Sequence, residues 1–248
     1  MKRIWTMWSR ELAAYFFSPM AYVVMIFFLV VMGFSFWLLA TVLSQGVRGG
    51  PVMNELFASI FFWLTILITI PVITMRLFAE EKRAGTLETL LTAPVRDSEV
   101  VLAKYLGALS FYVVLWLPTV TYIAVMKLFE PPGTPIDLGP MVSGYAGALL
   151  VGALYLSAGL FTSSLTGNQI VAAIGCFAIC CVSFLGGFLP YLVHSGPVRE
   201  VATYLSSVMY MMDASRGVVD TRGIVFHLSG IVLMLFLTVK VLESRRVV

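Results

Sequence analysis

The chain has 248 residues, of which 60% are hydrophobic and only 12% are charged, and its formal net charge is +3. Soluble domains contain about 45–50% apolar and about 25% charged residues, so most of this surface cannot face water. A positive charge this small and this scattered also argues against binding to nucleic acid. The composition therefore predicts an integral membrane protein.

Residues 1–19 are predicted to form an amphipathic helix at the membrane interface. Six apolar residues recur with the spacing of one helix face: Ile4, Trp5, Trp8, Leu12, Tyr15 and Phe16. The charged residues of this segment, including Arg10 and Glu11, fall mostly off that face, and Pro19 ends it. The alternative, which stays open, is a basic flank that only sets the orientation of the chain.

Six apolar runs are long enough to cross a bilayer, which takes about 20 residues for about 30 Å of hydrocarbon. They are Met20–Leu43, Leu56–Met75, Tyr105–Met126, Met141–Leu165, Gln169–Val193 and Ile224–Val239. Each run is expected to be helical, because lipid-exposed backbone must satisfy its hydrogen bonds within the segment. The sequence therefore predicts an all-α polytopic membrane protein with six transmembrane helices, in one domain covering residues 1–248.

The basic residues predict the orientation of these runs. With the N-terminus in the cytoplasm, eleven of the 16 Lys and Arg residues lie inside and five lie outside. Cytoplasmic loops carry an excess of Lys and Arg, and an even number of spans returns the chain to the same side. Both termini and the stretch 76–104 are therefore predicted to be cytoplasmic.

The stretch 76–104, between the second and third runs, has a pattern that a plain loop would not need. Four consecutive charged residues follow the second run: Glu80, Glu81, Lys82 and Arg83. They are predicted to form the solvated last turn of a helix that continues from the second span. Gly85 is predicted to end this helix, because glycine tolerates left-handed backbone.

A short amphipathic helix is predicted to follow, with Thr86 as its cap. Its apolar stripe has helical spacing and leaves Glu88 off the stripe: Leu87, Leu90 and Leu91. A helix of about two turns is not stable alone in water, so the stripe needs a surface. The membrane interface, the ends of the chain's own spans and a groove on another protein are the alternatives.

The predicted spans contain almost no ionisable groups, and His227 is the one candidate. Transporters that couple to ions or protons place charged groups within the membrane, so this class is disfavoured.

Cys176, Cys180 and Cys181 lie in one apolar run, which is typical of buried thiols rather than of disulfides or metal sites. The sequence also lacks the pattern G-x-x-x-x-G-K-[ST], so the chain cannot bind ATP by a P-loop of its own, and the energy for any work is expected from a partner.

Two further patterns concern packing. Gly144, Ala148 and Gly152 recur every four residues in the fourth run, and such small residues permit close helix approach, within one subunit or across a dimer. The segment 194–223 is predicted to be external and amphipathic. Its helical stripe is too short to span a membrane: Val198, Val201, Ala202, Leu205, Val208, Met209 and Met212.

Four stretches together resemble permease subunits of ABC transporters of the type-2 exporter-like class, and most closely its gliding-motility-type branch. They are RELAAYFFSPMAYVV (10–24), FAEEKRAGTLETLLTAPV (78–95), EVVLAKYLGAL (99–109) and RGVVDTRGIVFHLSGIVLMLFLTVKVLESRR (216–246). The resemblance covers both ends and the middle of the chain, at matching distances from the predicted spans.

The resemblance implies a permease subunit that catalyses nothing itself, in a bacterial cytoplasmic membrane. In that family the loop between spans two and three forms a coupling helix docked on a cytoplasmic ATPase subunit, which binds ATP and magnesium. Carried over, Thr86–Leu91 lies in that contact, and the charged residues 80–83 approach it. The implied partners are two ATPase subunits, a second permease copy or homologue, and membrane lipid, and the implied direction is export.

Two alternatives belong to other functional classes. The chain could be a membrane anchor or assembly subunit that recruits a soluble partner through the same stretch without transporting anything. It could also be an intramembrane enzyme built around His194 or His227. The substrate is not readable from the sequence, because uncharged spans suit lipid-like, glycan and polypeptide cargo equally.

Overall fold

The computed structural model describes residues 2–44, 52–86, 95–129, 138–193 and 196–246. Within these ranges the chain forms helices joined by short turns, with no β-strand. The helices are α1 (Lys2–Phe16), α2 (Pro19–Ser44), α3 (Val52–Ala58), α4 (Ile60–Thr74), α5 (Ala79–Arg83), α6 (Asp97–Trp116), a 3₁₀ turn (Leu117–Val120), α7 (Thr121–Phe129), α8 (Leu138–Leu165), α9 (Gln169–Gly186), α10 (Leu189–Leu192), α11 (Pro197–Tyr204), α12 (Ser207–Ser215) and α13 (Thr221–Arg246).

Six helical segments of the described residues are long and apolar enough to cross a membrane, which confirms the predicted fold class. Spans one to six are Pro19–Val42, Ile60–Arg83, Asp97–Met126, Gly139–Leu165, Gln169–Leu192 and Thr221–Ser244. Since successive spans alternate in direction, the start of span one and the end of span six lie at the same end of the bundle. We call this end proximal and the opposite end distal.

Span two begins later than the sequence predicts. The predicted run starts at Leu56, but α3 ends at Ala58 and a new helix starts at Ile60. Ser59 causes the break: its backbone is extended and its hydroxyl accepts a hydrogen bond from the Phe62 amide, as an N-cap does. Leu56 and Phe57 are buried, and α3 packs against α8 and α12 rather than continuing the span.

Span four is the centre of the bundle, and small residues let its neighbours approach. It contacts spans two, three, five and six and also α12. A Cβ atom on Gly144 would lie 2.6 Å from the Phe57 ring, and one on Gly152 would lie 2.2 Å from Tyr112. Between them Ala148 is fully buried and its carbonyl accepts a hydrogen bond from Tyr112. The small-residue face is therefore covered by aromatic rings of the same chain.

Spans one, five and six form the periphery of the bundle. They expose large apolar side chains such as Val23, Val182 and Val232, whose exposed fractions are 65%, 72% and 67%. Exposure of apolar side chains on this scale is expected for surfaces that face lipid.

The distal segment between spans five and six differs from its predicted single stripe. It forms two helices, α11 and α12, because Ser206 interrupts it: the Ser206 hydroxyl caps α12 at Met209 and also donates to the Gly187 carbonyl. Val208 is buried against the bundle, whereas Val198 on α11 is 63% exposed. In the first half of the predicted stripe only Ala202 is buried, so most of the packing onto the protein comes from the second half.

Candidate functional site

The charged residues of the predicted coupling stretch lie at the proximal end of span two. Glu80, Glu81, Lys82 and Arg83 belong to α5, and Gly85 follows with a φ of 70°, the left-handed conformation predicted for it. The described part of this stretch stops at Thr86 and resumes at Val95. The rest of the predicted amphipathic helix lies outside the described residues: Leu87, Glu88, Leu90 and Leu91.

The predicted continuous helix through the end of span two is wrong. α4 ends at Thr74 and α5 begins at Ala79, with a turn over residues 75–78 between them. The reason lies in span four. The buried Ser163 hydroxyl accepts hydrogen bonds from the Phe78 and Ala79 amides at 3.0 and 3.1 Å, and it donates to the Met75 carbonyl at 3.2 Å.

Ser163 thus provides hydrogen-bond partners for three backbone groups at the turn between α4 and α5. A hydroxyl has one donor and two acceptor positions, and all of them are used here. Leaving a buried backbone group without a partner costs about 1–3 kcal/mol, so the turn depends on this side chain. The next residue of span four also holds the stretch, because the Lys82 ammonium donates to the Ser164 carbonyl.

A buried cation joins three elements at this end. Lys104 of span three is 3% exposed, and its Nζ lies 2.8 Å from Glu81 Oε1 on α5 and 3.2 Å from Glu11 Oε1 on α1. The ammonium also lies 5.4 Å from the centre of the Phe78 ring. We call Lys104, Glu81 and Glu11 the lysine cluster. Removing one member of a buried pair leaves an uncompensated charge, which makes the cluster a strong constraint on α5.

Helix α1 is docked on span three rather than resting only on lipid. The Trp8 indole donates to Ser110 at 3.0 Å, and the Tyr15 ring stacks on Phe111 with 4.9 Å between ring centres. Tyr15 also donates to the Ile73 carbonyl in span two at 3.0 Å. Burial, reinforced by the charge of Glu11, raises the pKa of Tyr15, so the phenol stays protonated and remains a donor.

The apolar face predicted for α1 is only partly the face that packs. Trp5 is 67% exposed, whereas Glu11, predicted to lie off the packing face, points to Lys104. A Cβ atom on Gly107 would lie 2.9 Å from Glu11 Cβ, so the close approach of α1 to span three depends on this glycine. Glu11 faces span three because Lys104 of that span provides the ammonium group with which it pairs.

Arg76 ties the turn of span two to the start of span one. Its guanidinium donates to the Ser18 hydroxyl at 3.0 Å, and its Nε lies 3.5 Å from Glu80 Oε2. Ser18 lies in the short turn between α1 and α2. The charged stretch is thus connected to spans one, three and four and to α1.

Sequence reasoning missed Glu11, Lys104 and Ser163 as parts of this site. Lys104 did carry a signal, since it is the lone charge in the apolar stretch VVLAKYLGAL. Ser163 carried none, because it is one of three consecutive hydroxyl residues in span four and the pattern does not show which one faces the turn.

The residues considered for catalysis lie elsewhere. His227 is buried in span six, its Nδ1 lies 2.7 Å from the Gly223 carbonyl, and its ring contacts are Tyr210 and Phe226. His194 is outside the described residues. Cys176 and Cys180 are buried, as predicted, whereas Cys181 is only partly buried, so the prediction is wrong for that residue. Among the described residues no group of three or more His, Cys, Asp or Glu side chains could hold a metal ion.

Comparison with known proteins places this architecture in a family. The family model described as "ABC-2 family transporter protein" matches residues 49–212, which is more than half of the chain and contains spans two to five. A search of curated proteins found no match. With its six spans and this match, the chain belongs to the ABC-2 family of transporter membrane proteins and is a permease subunit of an ABC transporter.

Proposed function

We propose that this permease subunit receives mechanical work from a partner ATPase through residues 76–104 and uses it to move a substrate outward. The partner would bind ATP and magnesium, since the sequence contains no G-x-x-x-x-G-K-[ST] pattern of its own. A second permease subunit, identical or homologous, would complete the pathway. The gliding-motility-type branch remains the proposed placement within the family.

The observation that supports this proposal best is the lysine cluster. Glu81 stands one short turn before the predicted contact helix, and Lys104 connects it to span three and to α1. A displacement of α5 must either carry these elements along or separate a buried ammonium from its carboxylates. Separation is costly in a low-dielectric environment, so movement of the group as a unit is favoured.

The turn at residues 75–78 changes the mechanism from a rigid lever to a jointed one. Because α4 and α5 are separate helices, a push on α5 is not transmitted along one continuous helix axis. The force on α5 is transmitted to the neighbouring spans instead. Lys104 connects α5 to span three, and the contacts of Ser163 and Lys82 connect it to span four. We propose that the joint converts motion of the partner into relative motion of spans two, three and four.

The proposal includes an orientation. The proximal end faces the cytoplasm, so both termini are cytoplasmic, and the membrane is a bacterial cytoplasmic membrane. The excess of Lys and Arg at this end supports the orientation.

The test is co-purification of the permease with its ATPase after Leu87→Asp and Leu90→Asp. We expect association to be lost while membrane insertion is unchanged, because both changes place a charge on the predicted stripe of the contact helix. Thr89→Asp is the matched control, since it adds the same charge off the stripe. Unchanged co-purification of the double variant would contradict the proposal.

The same variants also distinguish a transporter from a membrane anchor. If the permease and ATPase associate through the stripe but vesicles show no ATP-dependent substrate movement, the chain is an anchor or assembly subunit. ATP-dependent movement that disappears in the Leu87 and Leu90 variants is the result expected for a transporter.

A further inference from the structure

A cavity of about 630 Å³ opens at the proximal end, between α1 and spans one, two and three. It has two chemically different parts. The floor is apolar and includes Ala21 and Val24 of span one and Val72 of span two. The rim is charged and comes from α1, α5 and the turn before α5.

The rim carries both signs of charge in a specific arrangement. Arg10, Arg76 and Glu80 join the lysine cluster, so that three basic and three acidic side chains line the cavity. Among the described residues Arg10 is paired with its neighbour Glu11 alone, at 3.4 Å, and its side chain is 66% exposed. The Arg10 guanidinium therefore has donors available at the mouth of the cavity, and the Arg76 side chain, which contacts Ser18 and Glu80, is 39% exposed there.

One carboxylate oxygen of Glu81 lacks a hydrogen-bond donor within the described part of the chain. One of its carboxylate oxygens accepts from Lys104 at 2.8 Å, but the other, Oε2, is buried and has no hydrogen-bond partner among the described residues. A buried carboxylate oxygen without a donor is costly, so a donor brought to this oxygen would be bound favourably. A cationic donor would be bound most strongly.

The position of the cavity indicates where that donor comes from. The amphipathic helix α1 packs against span three and the start of span one, and amphipathic helices at the ends of membrane spans lie where lipid headgroups meet acyl chains. A ligand entering from this level presents a polar head and an apolar tail, which matches a charged rim above an apolar floor. Basic pockets between membrane helices bind anionic lipid headgroups, and the carboxylates added here call for a headgroup that also carries a cation.

We propose that this cavity binds one phospholipid whose headgroup combines a phosphodiester with a primary ammonium, as in phosphatidylethanolamine. The phosphate accepts from Arg76 and Arg10, because planar guanidinium groups suit phosphate oxygens. The Glu81 side chain lines the cavity and is 22% exposed, so a rotation of its carboxylate presents Oε2 to the ammonium, which also neutralises Glu80. The first part of the acyl chains lies on the floor formed by Ala21, Val24 and Val72.

The chemistry also predicts selectivity among headgroups. A choline head has the same charges but no N–H group, so it leaves Glu81 Oε2 without a donor. An anionic head without an ammonium places negative charge beside Glu80 and Glu81. The bound lipid contacts α1, α5 and span one together, and this holds whether or not the chain transports a substrate.

The test is native mass spectrometry of the full chain purified from liposomes that contain equal amounts of phosphatidylethanolamine and phosphatidylcholine with identical acyl chains. We expect retained phosphatidylethanolamine to exceed phosphatidylcholine about tenfold, as one charge-assisted hydrogen bond would produce. Glu81→Gln should bring the ratio close to one, and Arg76→Gln should reduce retention of both lipids. Glu243→Gln, an exposed proximal carboxylate, should behave like the wild type.

Val72→Trp gives a test that leaves every charge in place. It fills the floor, so it should abolish retention of both lipids while the thermal unfolding midpoint stays near that of the wild type. Equal retention of the two lipids by the wild type, or a ratio unchanged by Glu81→Gln, would overturn the proposal. So would displacement of the lipid by soluble glycerophosphoethanolamine, since the site would then bind a headgroup from solution rather than a bilayer lipid.

Discussion

At the scale of single residues, Lys104 shows how one charge can organise an apolar protein. A lysine that is 3% exposed is tolerated because two carboxylates from other elements meet it. Each of the three residues would be unfavourable at its position without the others. The cluster therefore specifies the relative placement of α1, α5 and span three rather than adding much net stability.

Lys104→Met tests this role. The change leaves Glu11 and Glu81 close together without their cation, and we expect a loss in the free energy of unfolding of up to about 3–5 kcal/mol, reduced by the partial exposure of both carboxylates. Lys240→Met is the matched control, because the exposed pair Lys240–Glu243 should contribute less than about 1 kcal/mol. Thermal unfolding in detergent measures both, and equal effects of the two changes would contradict the assigned role.

Ser163→Ala tests the joint in span two. It removes two acceptor interactions and one donor interaction at the turn, so we expect a loss of about 1–3 kcal/mol and faster hydrogen exchange at the Phe78 and Ala79 amides. Ser157→Ala is the control, since Ser157 is equally buried and its hydroxyl donates to its own helix at Leu154. Exchange at Phe78 that does not change would show that the turn persists without the serine.

At the scale of elements, hydrophobic periodicity predicts which helix faces lie against lipid. It does not predict packing faces or helix breaks that are set by polar contacts. The α1 segment is amphipathic as predicted, yet its packing face contains Glu11 and leaves Trp5 largely exposed. Likewise the apolar run of span two gives no sign of the turn at residues 75–78, since the cause is a serine far along the chain. Local patterns cannot reveal partners that tertiary structure brings together.

Gly107→Ala tests the docking of α1 on span three. The added methyl group would lie 2.9 Å from Glu11 Cβ, so α1 must move outward, and overpacking of this kind costs about 1–3 kcal/mol. We expect a lower unfolding midpoint and faster hydrogen exchange along α1. Gly175→Ala is the control within another span, because its nearest side-chain atoms lie at 3.6 Å, an ordinary contact. Similar effects at both glycines would indicate a general change in helix stability instead.

At the scale of the whole molecule, the number of spans and the contrast between centre and periphery could be predicted from composition and run length. Span four is central, and its small residues Gly144 and Gly152 accommodate aromatic rings from α3 and span three. The sequence could not show whether those residues face another subunit, because small-residue spacing is the same in both cases. Only the positions of Phe57 and Tyr112 distinguish the two.

The orientation of the whole bundle is the prediction on which coupling to an ATPase depends. Arg83 and Arg222 are both exposed and lie at the proximal and distal ends, so each can be replaced by Cys after the three native cysteines are removed. The excess of basic residues at the proximal end predicts that Arg83→Cys is labelled by a membrane-impermeant maleimide only in inverted vesicles. Arg222→Cys should be labelled only when the reagent is added to cells that keep the cytoplasmic membrane intact but have lost the outer layers of the envelope. The reverse pattern would place α5 on the side without nucleotide, and no partner ATPase could then drive it.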